Sequence, residues 1–177
     1  MEIERKYLIK DLPFDVAAYP HHVMEQAYVS VDPVIRIRRS DERYILTVKS
    51  KGTIAREEFE LDIKENEYQH LLTKTEGNII SKVRYLLPLS EVEKVSHDTS
   101  NAALSNYENL VIELDIFKGA FEGLIYAEVE FESIDDANSF IPPKWFFRDV
   151  TTTKEYHNSS LSMMELSDIP AFIASIK

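Results

Sequence analysis

The chain has 177 residues, 44% hydrophobic and 29% charged, with a net charge of −11 and no cysteine. That length suffices for one domain with a real core, and the missing cysteines exclude disulfides, thiolate zinc sites and a cysteine nucleophile. An even spread of negative charge repels nucleic acid and anionic membrane, and no run approaches the roughly 20 apolar residues of a membrane span, so a soluble cytoplasmic protein is expected.

Residues 2–9 read as a strand. Side chains alternate between faces there, so Glu2, Glu4 and Lys6 point the same way. Two carboxylates and an ammonium make a poor hydrophobic face but a good place to hold a divalent cation and a phosphate. Further strands are predicted at 24–30, 34–40, 43–50 and 55–62, with hairpin turns at Asp41-Glu42-Arg43 and Lys51-Gly52-Thr53. A helix over 65–74, closed by Gly77, leads to strands at 79–87, 109–117 and 124–132. Between them, residues 90–107 are rich in Ser, Asn, Glu and Lys and read as a surface insertion. A second helix, 134–141, has Asp135 and Asp136 at its positive end and is stopped by Pro142-Pro143; short helices are expected beyond Asn158. No repeat or linker divides the chain, so 1–177 reads as a single domain. The sequence has four glycines and neither phosphate-loop nor dinucleotide spacing, so any phosphate must be held by side chains.

The strands repeat one oddity. Arg36 and Arg38 share a face opposite Ile35 and Ile37, and Lys49 shares one with Thr47. Arg56, Glu58, Glu60 and Asp62 alternate with Glu57, Phe59 and Leu61. Lys82 pairs with Arg84, Glu113 with Asp115, and Glu128 with Glu130. Charged faces ordinarily point to solvent, but this many same-sign, same-face pairs favour a closed barrel with a charged, wet lumen and an apolar outside covered by helices. The fold class expected is α+β, mainly β: a closed eight-stranded antiparallel β-barrel with flanking helices.

Eight segments in order carry a family resemblance: E-I-E-R-K at 2–6, R-I-R at 36–38, L-T-V-K at 46–49, R-E-E-F-E at 56–60, G-N-I-I-S-K-V-R-Y at 77–85, I-E-L-D-I-F-K-G at 112–119, G-L-I-Y-A-E-V-E-F at 123–131 and D-V-T-T-T-K-E-Y-H-N-S-S-L at 149–161. Together they resemble the CYTH superfamily, the triphosphate tunnel metalloenzymes, over nearly the whole chain. The short start and the A-E-V-E-F strand look most like the small bacterial tripolyphosphatases. The resemblance implies a tunnel-forming barrel and Mg²⁺- or Mn²⁺-dependent hydrolysis of the terminal phosphate of tripolyphosphate or a related small triphosphate. Thiamine triphosphatase, class IV adenylate cyclase and a non-catalytic polyphosphate or nucleotide module are the alternatives. A lipocalin-like carrier suits no charged lumen. The partner is then a small triphosphate rather than nucleic acid or membrane, and an exposed apolar barrel side offers a homodimer surface.

The roles follow from chemistry. Lys6, Arg36, Arg38, Lys49, Arg56, Lys82 and Arg84 are the candidates to grip phosphate oxygens, Arg by bidentate forks and Lys as point charges. Glu2, Glu4, Glu128 and Glu130 are the candidate metal ligands, since hard cations take oxygen donors. Glu58, Glu60, Glu113 and Asp115 would separate and orient the basic groups. The resemblance further implies that Tyr28 acts with Lys6 to orient or deprotonate the attacking water. The five histidines show no ligand spacing, and Trp145-Phe146-Phe147 reads as an apolar plug. The tail departs from the family pattern: Thr153 and Glu155 stand where an Asp and an Arg usually precede the Tyr.

Overall fold

The computed structural model describes residues 2–50, 55–95 and 109–176, with the side chains of Glu2, Ala55, Arg56 and 93–95 outside that description. Among the described residues ten strands form one antiparallel sheet: β1 (Glu2–Ile9), β2 (His21–Val31), β3 (Val34–Ser40), β4 (Arg43–Lys49), β5 (Ala55–Arg56), β6 (Glu58–Ile63), β7 (Glu76–Pro88), β8 (Val111–Lys118), β9 (Ile125–Glu130) and β10 (Phe146–Asp149). Nine lie in the order β10-β1-β9-β8-β7-β2-β3-β4-β6, and β5 pairs with β1 off that path. Among the described residues five short α-helices accompany them: α1 (Glu65–Leu72), α2 (Leu89–Val95), α3 (Ile134–Ser139), α4 (Asn158–Ser162) and α5 (Ile169–Ala174).

The sheet is amphipathic with its apolar face turned outward. Tyr7, Ile9, Ile112, Leu114, Ala127 and Val129, from the outer faces of β1, β8 and β9, pack with Leu89 and Val92 of α2 and with Ala137 and Phe140 at α3. Ala27 and Ile37 pack under Tyr68 of α1. A third cluster joins Leu8, Ile80, Phe117 and Tyr126 to Val150, Leu161, Ile169 and Ile173 of the tail. Leu8 and Tyr126 face each other across β1 and β9, two residues beyond Lys6 and Glu128. The charged face therefore turns apolar at one end, where the tail covers it.

Several expectations change in detail. The predicted strand 55–62 is two strands, because Glu57 leaves the ladder to bond Ser50 through both its backbone groups; this and β10 bring the count to ten rather than eight. β10 was hidden in the aromatic run after Pro142-Pro143. Phe146 is buried and stacks edge-on with Trp145 at 4.5 Å, as a plug should, whereas Phe147 is exposed under the Lys10 ammonium. Leu89–Val95 is helical, with Leu89 and Val92 buried, and residues 96–108 of the predicted insertion lie outside the described residues, as does the turn at 51–53. The turn at Asp41 is present: its φ of 52° is a left-handed conformation that a short polar side chain tolerates, and its carboxylate accepts the Val23 N–H.

Gly77 does not close α1. It lies inside β7 with φ 73°, where a methyl group would sit 2.2 Å from the carbonyl oxygen of Ser162. The neighbouring Asn78 amide donates to the Met164 carbonyl at 2.7 Å. Together they seat α4 directly on β7. Gly119 has a similar φ of 63°, but a methyl group there would meet nothing within 4 Å, so it isolates the backbone cost. Gly119→Ala should cost about 1 kcal/mol from the left-handed backbone alone. Gly77→Ala should cost clearly more in urea unfolding and should expose the tail to protease; equal costs would show that α4 does not press on β7.

Candidate active site

Charged side chains on one face of the sheet line a cavity of about 410 Å³. Its described lining includes six basic side chains, Lys6, Arg36, Arg38, Lys49, Lys82 and Arg84, and six acidic ones, Glu4, Glu58, Glu60, Glu113, Glu128 and Glu130. The strand alternation read from sequence places them there: Arg36 and Arg38 two apart on β3, Lys82 and Arg84 on β7, Glu128 and Glu130 on β9. Burying so many charges is tolerable only where the signs interleave, and they do.

Two networks share the work. On one wall, Arg84 forks onto Asp115 at 2.7 and 2.6 Å and also reaches Glu113 and, at 2.5 Å, Glu128. Lys82 donates to the same Asp115, and Lys6 meets the other oxygen of Glu128 at 2.8 Å. Glu113 and Glu128 lie directly opposite each other on β8 and β9, a like-charge pair that repels on its own and is bridged here by one guanidinium. On the facing wall, Arg36 contacts Glu58 at 3.3 Å and the Thr47 hydroxyl at 3.1 Å. Lys49 meets Glu58 at 2.7 Å, and Arg38 meets Glu60 at 2.9 Å. The Nε groups of Arg36 and Arg38 are buried and have no hydrogen-bond partner among the described residues.

These surroundings move the titrations. Burial pulls the Lys82 ammonium down to about 8, against the opposing pull of Asp115. Burial likewise lowers Arg38 to about 10, assisted by Arg36. Burial pushes the Glu128 carboxyl up, but Lys6, Arg84 and Lys82 together hold it well below the usual carboxylate range.

Among the residues singled out from sequence, Glu4, Lys6, Tyr28, Arg36, Arg38, Lys49, Glu58, Glu60, Lys82, Arg84, Glu113, Glu128 and Glu130 all line the cavity. Asp115 is fully buried and grips Lys82 and Arg84. The side chains of Glu2 and Arg56 lie outside the described residues, though their backbones pair. Tyr28 is buried and its hydroxyl accepts the Gln26 amide at 2.9 Å. Gln26, Val34, Thr151, His157, Asn158 and Ser159 also line the cavity, and sequence reading passed over them. Gln26 had a usable signal, two residues from Tyr28 on one strand; the tail residues had none, because their approach depends on Gly77 and Asn78 at the far end of β7.

The tail also fixes Lys6. The Lys6 N–H donates to the Thr151 hydroxyl at 3.0 Å, the Val150 N–H donates to the Lys6 carbonyl at 2.9 Å, and Asp149 holds Thr151 through both its N–H and its hydroxyl. The backbone that carries the ammonium is thus clamped from the edge of β1.

No group of three or more His, Cys, Asp or Glu among the described residues is arranged to hold a metal by itself. Glu4 and Glu130, however, are directly opposite across β1 and β9 and both line the cavity. Two carboxylates beside an anion suit Mg²⁺, which takes one or two protein carboxylates and completes its shell with water and phosphate oxygens. Since acidic and basic groups already balance in the described lining, a multiply charged anion entering it needs a cation alongside.

A family model described as a CYTH domain matches residues 1–166. The chain belongs to the CYTH family. This CYTH chain is 34% identical over 166 residues to an inorganic triphosphatase of Nitrosomonas europaea, covering 92% of this chain and 97% of that protein. It is 30% identical over 165 residues to an inorganic triphosphatase of Acetivibrio thermocellus, covering 90% and 92%. Its fold superposes with a TM-score of 0.63 on a crystal structure of an inorganic triphosphatase, at 31% identity over 93% of this chain and 96% of that one.

If Arg84 holds the wall together, Arg84→Leu should destabilise this CYTH domain by about 3–5 kcal/mol at neutral pH, because it strands buried carboxylates. Glu128 is depressed in the folded state, so its contribution is present above the ordinary value of 4.5 and fades only as pH falls through the lower folded value. The deficit in urea unfolding should therefore persist at pH 5 and narrow in stronger acid; a pH-independent deficit would assign it to packing.

Proposed function

We propose that the chain is a metal-dependent triphosphatase that hydrolyses the terminal phosphate of inorganic tripolyphosphate or a related small triphosphate, using Mg²⁺ or Mn²⁺. The observation that carries this reading is the cavity in which Arg36, Arg38, Lys49, Lys82 and Arg84 converge beside Glu4, Glu128 and Glu130. The relatives named inorganic triphosphatase, matched over nearly their whole length, support the choice of substrate. We read the sheet as a closed eight-stranded barrel in a single domain, with residues 90–107 an insertion. In support, the free edge of β1 is divided between β5 at Glu2 and Ile3 and β10 at Tyr7 to Ile9, and β5 with β6 counts as one broken strand.

In this reading the Arg forks and the Lys ammonium groups bind the phosphate oxygens and lower the cost of charge that builds up as the phosphoryl group transfers. Glu58, Glu60, Glu113 and Asp115 hold those basic groups apart and aimed. Glu4 and Glu130 would hold the divalent cation, with Glu2 and Glu128 close in sequence register to complete the set. When bound, the cation neutralises phosphate charge and polarises the phosphoryl oxygens. Lys6 and Tyr28 orient the attacking water; Lys6 is suited to this by its clamped backbone and its buried pairing with Glu128. Water adds to the terminal phosphorus, the bridging P–O bond breaks, and orthophosphate and diphosphate leave. No helix among the described residues is long and apolar enough to cross a membrane, and we place the reaction in the cytoplasm.

The direct check is phosphate release from tripolyphosphate, thiamine triphosphate and ATP, each with Mg²⁺ or Mn²⁺. Metal-dependent turnover should be fastest with tripolyphosphate, and Glu4→Gln should reduce it about 100-fold or more without unfolding the protein. Cyclic AMP from ATP, or full activity in Glu4→Gln, would reject the assignment.

Lys82 gives a pH test. Its folded value of about 8 lies below the ordinary 10.5, so the unfolded chain holds that proton more tightly and folding stability rises with pH between the two values. Phosphate binding needs the ammonium, so KM should rise above about pH 8 while the fold grows no weaker from this group. Lys82→Arg should remove the break; a break that survives it belongs to another residue.

A further inference from the structure

The end of the charged face that the tail covers carries two aromatic rings, each beside a lysine of the cavity. Phe117 lies directly opposite Lys82 across β7 and β8, and its ring centroid is 5.6 Å from the Lys82 ammonium. Tyr126, two residues before Glu128 on β9, brings its ring centroid to 5.4 Å from the Lys6 ammonium. Both distances are within cation–π range. The two rings pack edge-on against each other at 5.0 Å and are fully buried, so they form one shelf shared by both lysines.

The shelf supplies what the carboxylates do not. Lys6 meets Glu128 at 2.8 Å and Lys82 donates to Asp115, but an ammonium has three donors on a flexible stem, and one ion pair does not fix where the others point. A ring face is partly negative, so it attracts the ammonium from a second side. Only 7% of the Lys6 side chain and 2% of the Lys82 side chain are exposed, which leaves little water to weaken that attraction. The Tyr126 hydroxyl is buried with no hydrogen-bond partner among the described residues. It is the ring, not the hydroxyl, that Tyr126 brings to Lys6.

We propose that Tyr126 and Phe117 are positioning residues: their ring faces hold the Lys6 and Lys82 ammonium groups so that the donors not taken by Glu128 and Asp115 point into the cavity both lysines line. This rests on the triphosphatase reading above, in which Lys6 orients the attacking water and Lys82 grips phosphate. The two rings therefore govern different kinetic parameters, Tyr126 acting on kcat through Lys6 and Phe117 on KM through Lys82. They do so although both belong to one apolar cluster.

The test measures kcat and KM for tripolyphosphate with Mg²⁺, together with melting temperature, in the full chain. Tyr126→Leu should lower kcat about ten-fold with KM little changed, and Phe117→Leu should raise KM about ten-fold with kcat little changed, the scale of a desolvated cation–π contact. Tyr126→Phe keeps the ring and should keep wild-type kinetics. Unchanged kinetics in both leucine variants, the same parameter moving in both, or losses that simply follow melting temperature would overturn the proposal. So would a Tyr126→Phe variant no better than Tyr126→Leu. Should the leucine variants not fold, a pentafluorophenyl ring installed at position 126 or 117 keeps the shape and reverses the charge of the ring face. The same split between kcat and KM then supports the proposal, and wild-type values at both positions refute it. A wild-type protein that releases no phosphate would instead defeat the triphosphatase reading itself.

Discussion

Arg84 touches three carboxylates on two neighbouring strands, and one charged wall of the cavity is held together through it. Asp115, Glu113 and Glu128 all end on this one guanidinium; Lys82 and Lys6 take the oxygens that remain. Charges removed from water are expensive unless each meets its opposite and its hydrogen bonds are filled. Interleaving the signs across strands achieves this. It also leaves the buried Nε groups of Arg36 and Arg38 without a hydrogen-bond partner among the described residues.

The same constraint explains why the molecule is inside out. With the inner face given to ion pairs, the apolar faces of the strands turn outward, where helices cover part of them and Phe59 and Leu61 of β6 stay exposed. α2 and α3 cover β1, β8 and β9, and α1 covers part of β2 and β3. The tail does more than cover. It seals the apolar end of the inner face with Leu161 and Ile169, clamps the backbone of Lys6 through Val150 and Thr151, and brings His157, Asn158 and Ser159 to the cavity. One short segment thus links core packing, the placement of a reactive ammonium and the shape of the site.

Much of this was legible in the sequence because a strand has a period of two. Arg36 with Arg38, Lys82 with Arg84 and Glu128 with Glu130 could only share faces, and their repetition marked a charged face that lines a cavity rather than an ordinary solvent-facing one. What the period does not encode stayed hidden. Glu57 breaks a strand by bonding Ser50, β10 is too short and aromatic to read as a strand after two prolines, and Gly77 reads as a helix stop although its role is to let Ser162 approach. The histidines carry no ligand spacing, yet His157 lines the cavity, since the tail's path is set by contacts more than 80 residues away in sequence. Local pattern fixes which face a side chain occupies, not which distant segment arrives to complete the wall.

The central claim is that the charged inner face is a joint site for triphosphate and a divalent cation. A crystal structure with a non-hydrolysable triphosphate analogue and Mn²⁺, located by its anomalous signal, tests it most directly. The account predicts the metal between Glu4 and Glu130, with phosphate oxygens along Arg36, Arg38 and Lys82. Metal or phosphate bound outside the cavity, with the Arg84 network undisturbed and the interior holding only water, would contradict it.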